Sequence, residues 1–279
     1  MAKQRNRGGR KPDLATFAGL AIALGGIIGG LILEGGEIQD IAQYTAAMIV
    51  LGGTIGAVLV ATPLKVVRGA VKKFVAVFFD QALTPDATIE EIIDYATKAR
   101  RNGIVSLEQD AEAIADPFLR KALILAVDGT DIQELRKMME LEISLAEQEG
   151  EAQAKVFEAA GGYAPTIGII GAVLGLIQVM KNLQNIEEVG HGIAVAFVAT
   201  VYGVGVANIF FLPAANKIKA RIHHETLLRE LMLEGVVGIV EGLNPKLIRS
   251  KLEAFARDEA KAKGKKARAG AGKPAAAVR

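Results

Sequence analysis

The sequence predicts an all-α, polytopic membrane protein with four transmembrane helices and a helical cytoplasmic domain inserted between the second and the third. Four apolar runs carry this reading: Leu14–Leu33, Ile41–Ala61, Tyr163–Met180 and Gly192–Leu212 contain no Lys, Arg, Asp or Glu. Each approaches or exceeds the roughly 20 residues that an α-helix needs to cross hydrocarbon. Basic residues gather on one side of these runs, as they do at the cytoplasmic ends of membrane spans. Between the runs, no apolar/polar alternation is long enough for a useful strand. A soluble core is the competing reading. It would need four charge-free buried helices within 279 residues, and the apolar side chains are too concentrated for that.

Residues 1–12 form a basic arm with Lys3, Arg5, Arg7, Arg10 and Lys11. The arm is like the start of a signal peptide, but the apolar run after it is too long and no small-residue cleavage pattern follows, which predicts a retained anchor. Residues 13–62 hold the first two spans. Their connection carries Glu34, Glu37 and Asp40 and no basic residue, whereas Lys65, Arg68, Lys72 and Lys73 follow the second span. The connection 181–191 holds one lysine and two glutamates, and Lys217, Lys219 and Arg221 follow the fourth span. The net charge of +2 hides this asymmetry, which puts both termini and residues 63–158 on the cytoplasmic side.

Within 63–158, Thr88 and Glu91 have capping-box spacing for a helix that reaches Arg101 and ends at Gly103. Ser106, Glu108, Gln109 and Asp110 open a second helix. Asp131–Gly150 forms a third, with Ile132, Leu135, Met139 and Ile143 on its apolar face. Residues 159–215 hold spans three and four, 216–257 a C-terminal helix, and 258–279 a disordered basic tail that is either solvated or close to anionic lipid. The chain has no cysteine, and His191, His223 and His224 lie outside the span cores, so no metal site is expected. The spans lack paired carboxylates, metal ligands and an activated nucleophile, and no phosphate-cradling loop appears. The chain therefore reads as no enzyme, with no cofactor and no nucleic-acid partner.

Small and polar residues set the roles of the spans. Gly25/Gly29, Gly26/Gly30 and Gly52/Gly56 have the spacing that lets helices approach closely, within one chain or between subunits. On the third span Pro165, Gly168, Ala172 and Gly175 form a smooth stripe, and Ala196, Ala199 and Gly203 repeat it on the fourth. These stripes suit either a groove for a foreign helix or packing of the two spans on each other. Thr200 can serve an ion or bond the carbonyl one turn back. Pro165 and Pro213 read as hinges or as helix ends, and Asn208 as an interhelical hydrogen-bonding group. Prolines and hydroxyls without a titratable group imply that any ion carrier belongs to another protein.

The strings Ala164-Pro165-Thr166-Ile167-Gly168-Ile169-Ile170-Gly171-Ala172-Val173-Leu174-Gly175-Leu176 and Ala199-Thr200-Val201-Tyr202-Gly203, with Ala207–Lys217, resemble the third and fourth membrane helices of the MotA flagellar stator family. Ala99–Glu108 resembles that family's rotor-contacting segment, and the match runs in family order from the first span to about Glu253. The resemblance implies a ring of five subunits around a MotB dimer, in the bacterial inner membrane. MotB would supply the ion-binding aspartate, and the rotor protein FliG would be turned. The same resemblance assigns Pro165, Thr166, Ala172, Thr200 and Pro213 to the ion path and partner face, and Arg100 and Glu108 to the rotor contact. Arg101, Asp110 and Glu112 match less securely. Without the resemblance, these charges read as an ordinary solvated helix surface.

Related ExbB and TolQ proteins, which energise outer-membrane transport or envelope maintenance, typically place their large domain after one span. Two spans precede it here. A solute transporter would show internal repeats and its own polar midplane site. Sodium-driven relatives typically carry a hydroxyl at the position of Ala172, so its methyl implies coupling to H+ rather than Na+.

Overall fold

The computed structural model describes residues 11–80 and 84–256. The basic arm through residue 10 and the expected tail 258–279 lie outside the described residues. In chain order the helices are α1 (Leu14–Leu33), α2 (Ile38–Ile41), α3 (Tyr44–Ala47), α4 (Gly53–Ala61), α5 (Leu64–Val77), α6 (Pro85–Asn102), α7 (Glu108–Ala113), α8 (Pro117–Val127), α9 (Ile132–Lys181), α10 (Ile186–Val206) and α11 (Leu212–Val240). Residues 245–256 form a further helix, α12. Wide π-turns at Met48–Gly52 and Ala207–Phe211 join α3 to α4 and α10 to α11, and a 3-10 turn at Ile104–Leu107 precedes α7. The extended structure among the described residues is a two-residue antiparallel pair, Lys11↔Asp80 and Pro12↔Phe79. Four stretches, Leu14–Leu33, Ile38–Ala61, Ile132–Lys181 and Ile186–Val240, are long and apolar enough to cross a membrane.

Three local expectations are corrected. Thr84, not Thr88, caps α6: its hydroxyl accepts from the Ala87 N–H at 3.4 Å, and Pro85 takes the first helical position, where no N–H is needed. Thr88 is buried one turn later and donates to the Thr84 carbonyl at 3.3 Å. The stretch Asp131–Gly150 and the third span are not separate helices, because α9 runs unbroken for 50 residues past Pro165. Pro213 does not end the fourth span either; the helix continues through the π-turn into α11. A proline removes one N–H and crowds the preceding turn, and a widened turn absorbs both effects.

Each wide turn has a polar side chain that donates one turn back. The Thr54 hydroxyl bonds the Val50 carbonyl at 2.6 Å, and the Asn208 amide bonds the Val204 carbonyl at 2.9 Å. These donors serve carbonyls where the regular ladder is loosened, in a place without water to do so. Among the described residues Asn208 therefore bonds within its own helix.

The chain packs as two units. The first takes residues 11–80 and 148–222, and the second 84–147 and 223–256. In the second unit one continuous core holds Ile92, Leu107, Leu119, Leu135, Met139 and Leu231 with Ile248 and Leu252 of α12. Leu135, Met139 and Ile143 are buried as their spacing predicts. Arg249 of α12 clasps Glu90 with two bonds of 2.5 and 2.8 Å. Glu234 receives Arg136 at 2.5 Å and Lys251 at 2.7 Å. Burial alone would raise the Glu234 carboxyl, but those two cations outweigh it and hold it below the usual carboxylate range.

In the first unit, α1 buries none of its residues, and Gly25, Gly26, Gly29 and Gly30 have open space around them. Its glycine pairs make no close approach among the described residues. The helix is held at its N-terminal end. Asp13 caps it by accepting from Thr16 N at 3.2 Å and pairs with Lys217, which also bonds the Thr16 hydroxyl. The Lys217 ammonium holds the Asp13 carboxyl below its ordinary value. Phe17, Phe78, Phe74 and Phe157 continue the attachment as rings with successive centroids 5.2–5.5 Å apart.

Candidate functional site

The centre of the first unit is the antiparallel pair of α9 and α10. Ala164, Gly168, Gly171 and Gly175 are buried along α9, and Gly192, Ala196, Ala199 and Gly203 along α10. A Cβ at Gly203 would lie 2.6 Å from the Ala164 carbonyl oxygen and 3.0 Å from Gly168 Cα. One at Gly168 would lie 2.9 Å from the Ala199 carbonyl oxygen, and one at Gly175 2.7 Å from the Gly192 carbonyl oxygen. The backbones touch along the whole seam. The buried small residues of the two stripes thus pack on each other, the helix–helix packing that their spacing suits.

The seam also shifts the expected register. Its α9 members follow i, i+4, i+7 and i+11, and Pro165 and Ala172 flank them half-buried. Ala164 and Gly171 were missed, although the 4-3-4 spacing of small residues was there to be read. Tyr202 was also missed. Its phenol donates to the Ile41 carbonyl and accepts from Gln43 N at 3.3 Å, which pins α10 to the start of the second span. Val198 and Ala199 extend this contact onto Ala46 and Val50.

Most of the ion-path candidates lie near one level of the seam. The Thr200 backbone packs on Gly168, and Gly203 packs on Ala164 beside Pro165. Leu212, next to Pro213, covers Gly161, one turn before Pro165, so the two prolines lie at the same end of the pair. Ala172 is further along, next to Gly171 and its contact with Ala199. Thr166 is exposed and its hydroxyl donates to the Tyr163 carbonyl at 2.8 Å, near the proline-interrupted ladder. The half-buried Thr200 donates to the Ala196 carbonyl at 3.2 Å. That is long for an O–H···O bond, so little is lost when the hydroxyl turns to a better partner. Pro213 is exposed.

The charged candidates are in the second unit. Arg100 and Arg101 close α6, the chain turns at Gly103 with φ +81°, and Glu108 opens α7. Arg100, Arg101, Glu108 and Glu112 are all exposed and make no ion pair among the described residues. Asp110 differs: it pairs with Lys98 and ties α7 to α6. The structure thus removes Asp110 from the free charges and leaves Arg100 and Glu108 among them. A cation at a helix C-terminus and an anion at an N-terminus also suit the helix dipoles, a contribution of about 0.3–1 kcal/mol each.

Residues 110–231 match the MotA/TolQ/ExbB proton channel family, and residues 17–102 match the family described as Motility protein A N-terminal. Motility protein A of Bacillus subtilis is 36% identical over 86% of this chain and 89% of its own. The structure of C. jejuni MotAB superposes with a TM-score of 0.83 at 32% identity, covering 87% of this chain and 95% of that one. The flagellar MotAB stator complex from Bacillus subtilis gives 0.81 at 36% identity, covering 88% and 98%.

Proposed function

Since the chain belongs to the MotA/TolQ/ExbB proton channel family, we propose that it is a flagellar stator subunit, five copies of which surround a MotB dimer in the inner membrane. The match of residues 17–102 to the Motility protein A N-terminal region supports this over an ExbB- or TolQ-like role. Both termini and the second unit are cytoplasmic, following the basic residues. The open glycine faces of α1 are available to neighbouring subunits or lipid.

The observation that carries the mechanism is the close-packed α9/α10 pair, which presents hydroxyls and prolines but no carboxylate. The MotB aspartate supplies the proton-binding group beside Thr200. A half-buried hydroxyl with a long internal bond can turn toward that carboxylate, and its local polarity then changes the proton affinity. Protonation and release there shift the ring around its partner, and the second unit turns FliG. The chain itself performs no enzymatic chemistry and needs no cofactor.

Ala172 sets the coupling ion. Sodium in a membrane needs several oxygen ligands to replace its water, and a methyl supplies none. A proton needs one carboxylate. Cells in which this chain and its partner form the sole stator should keep swimming when sodium is removed with the proton gradient intact. Stopping on sodium removal and resuming on its return would overturn proton coupling.

Arg100 and Glu108 are the FliG-facing charges. Exposed ion pairs are worth about 0–1 kcal/mol, weak enough to break as a rotor passes. Arg100→Glu should cost under about 1 kcal/mol of stability through the helix dipole, yet slow swimming clearly. A charge reversal on FliG should partly restore it. Normal swimming with Arg100→Glu at normal membrane abundance would remove Arg100 from the contact.

A further inference from the structure

We infer that Val105 is the apolar anchor of the rotor-facing surface and seats in a shallow apolar depression on an amphipathic rotor helix whose rim carries charges of both signs; this rests on the FliG contact proposed above. Val105 lies in the 3-10 turn Ile104–Leu107, between the arginines that close α6 and the glutamate that opens α7. A 3-10 turn has three residues per revolution, so residues three apart share one face. Leu107 is fully buried in the core of the second unit, and Ile104 packs against the same core. Val105 is therefore turned away from the core and is 65% exposed.

The turn that presents it is held in place. The Ser106 hydroxyl donates to the Gly103 carbonyl at 2.7 Å, and the Ser106 N–H donates to the same oxygen at 3.1 Å. The Lys98–Asp110 pair braces the flanking helices. Gly103 has a backbone conformation that other residues rarely adopt, with nothing packed over it. An apolar side chain on a fixed turn loses little freedom on docking.

Single exposed valines are ordinary on protein surfaces. This one has exposed charges before and after it in the chain, Arg100 and Arg101 at the end of α6 and Glu108 and Glu112 in α7, without ion pairs among the described residues. An apolar centre within a charged rim is the usual anatomy of a protein interface. It also supplies what the rim lacks, since screened ion pairs give direction and little affinity. One valine is small enough to release at each step.

The test uses the full chain with its MotB-type partner as sole stator, comparing Val105→Ser, Val105→Leu and the double reversal Arg100→Glu/Glu108→Lys. Val105→Ser should weaken capture of FliG by the assembled stator about tenfold, the scale of losing one buried valine side chain, and slow swimming. Thermal stability and proton conduction should stay unchanged, and Val105→Leu should retain function. The chain has no cysteine, so Val105→Cys offers a unique thiol that should cross-link to cysteines placed on the rotor helix. If the double reversal impairs swimming while Val105→Ser does not, the anchor is wrong and the charge contact stands. If neither impairs swimming, the FliG reading falls and the anchor with it. Should Val105→Ser fail to accumulate, absence of the cross-link in motile Val105→Cys cells overturns the inference.

Discussion

Gly203→Ala should lower the melting temperature of the purified complex and abolish or nearly abolish motility, whereas Gly205→Ala should leave stability unchanged or slightly raised. The two glycines are on one helix and differ in what a methyl would meet. At Gly203 it would lie 2.6 Å from the Ala164 carbonyl oxygen and 3.0 Å from Gly168 Cα, while at Gly205 nothing lies within 4 Å. The obstruction at Gly203 is backbone, which cannot change rotamer, so the α9/α10 seam must open. Overpacking of this kind costs about 1–3 kcal/mol. Opening the seam also separates the Thr200 turn from Pro165, so function should fall further than stability alone requires. At Gly205 the gain in helix propensity is up to about 1 kcal/mol. Equal melting temperatures for the two variants would mean that the seam is not close-packed in the membrane.

Pro213→Ala should leave insertion and abundance normal and still cause a large loss of swimming speed. The π-turn Ala207–Phe211 immediately precedes Leu212 and Pro213, and the Asn208 amide serves the Val204 carbonyl within the widened region. Alanine restores the missing N–H and removes the ring, which lets the turn tighten toward regular α-helix. A π-turn adds one residue to a turn, so losing it would rotate α10 by about 100° relative to α11. Ala199 and Gly203 would then leave their seam unless the turn resisted. In the mechanism proposed above this segment yields at a defined place, and a uniform helix would spread the motion over its length. Swimming at full speed with normal abundance would reduce Pro213 to a packing residue.

Much of this protein was legible in its sequence because lipid simplifies the code. A span must be apolar for about 20 residues and must satisfy its own backbone, so existence and order of the four spans follow from residue type alone. The core face of Leu135, Met139 and Ile143 was readable for the analogous reason that helical periodicity marks burial. The charge asymmetry and the hydroxyls and prolines of the third and fourth spans were also visible, together with the absence of a carboxylate there.

Where helices begin, continue and meet was decided by tertiary structure. Thr88 has a good capping pattern, but burial claimed it and left the cap to Thr84. Pro165 and Pro213 looked like helix ends, but α9 runs on through Pro165, and a widened turn at Ala207–Phe211 carries the chain past Pro213. The stripe Pro165–Gly168–Ala172–Gly175 differed from the true seam because small residues crowd several faces of α9, and only the partner helix selects one. The charges between Lys98 and Glu112 could not be sorted by type; three-dimensional pairing put Asp110 into the scaffold and left Arg100 and Glu108 without an ion pair among the described residues. Sequence alone thus determined which segments cross the membrane and which chemical groups they lack, since solvation of single side chains sets both. Which small residues touch and which charges stay unpaired depend on distances between segments far apart in the chain, and only the folded structure supplies those.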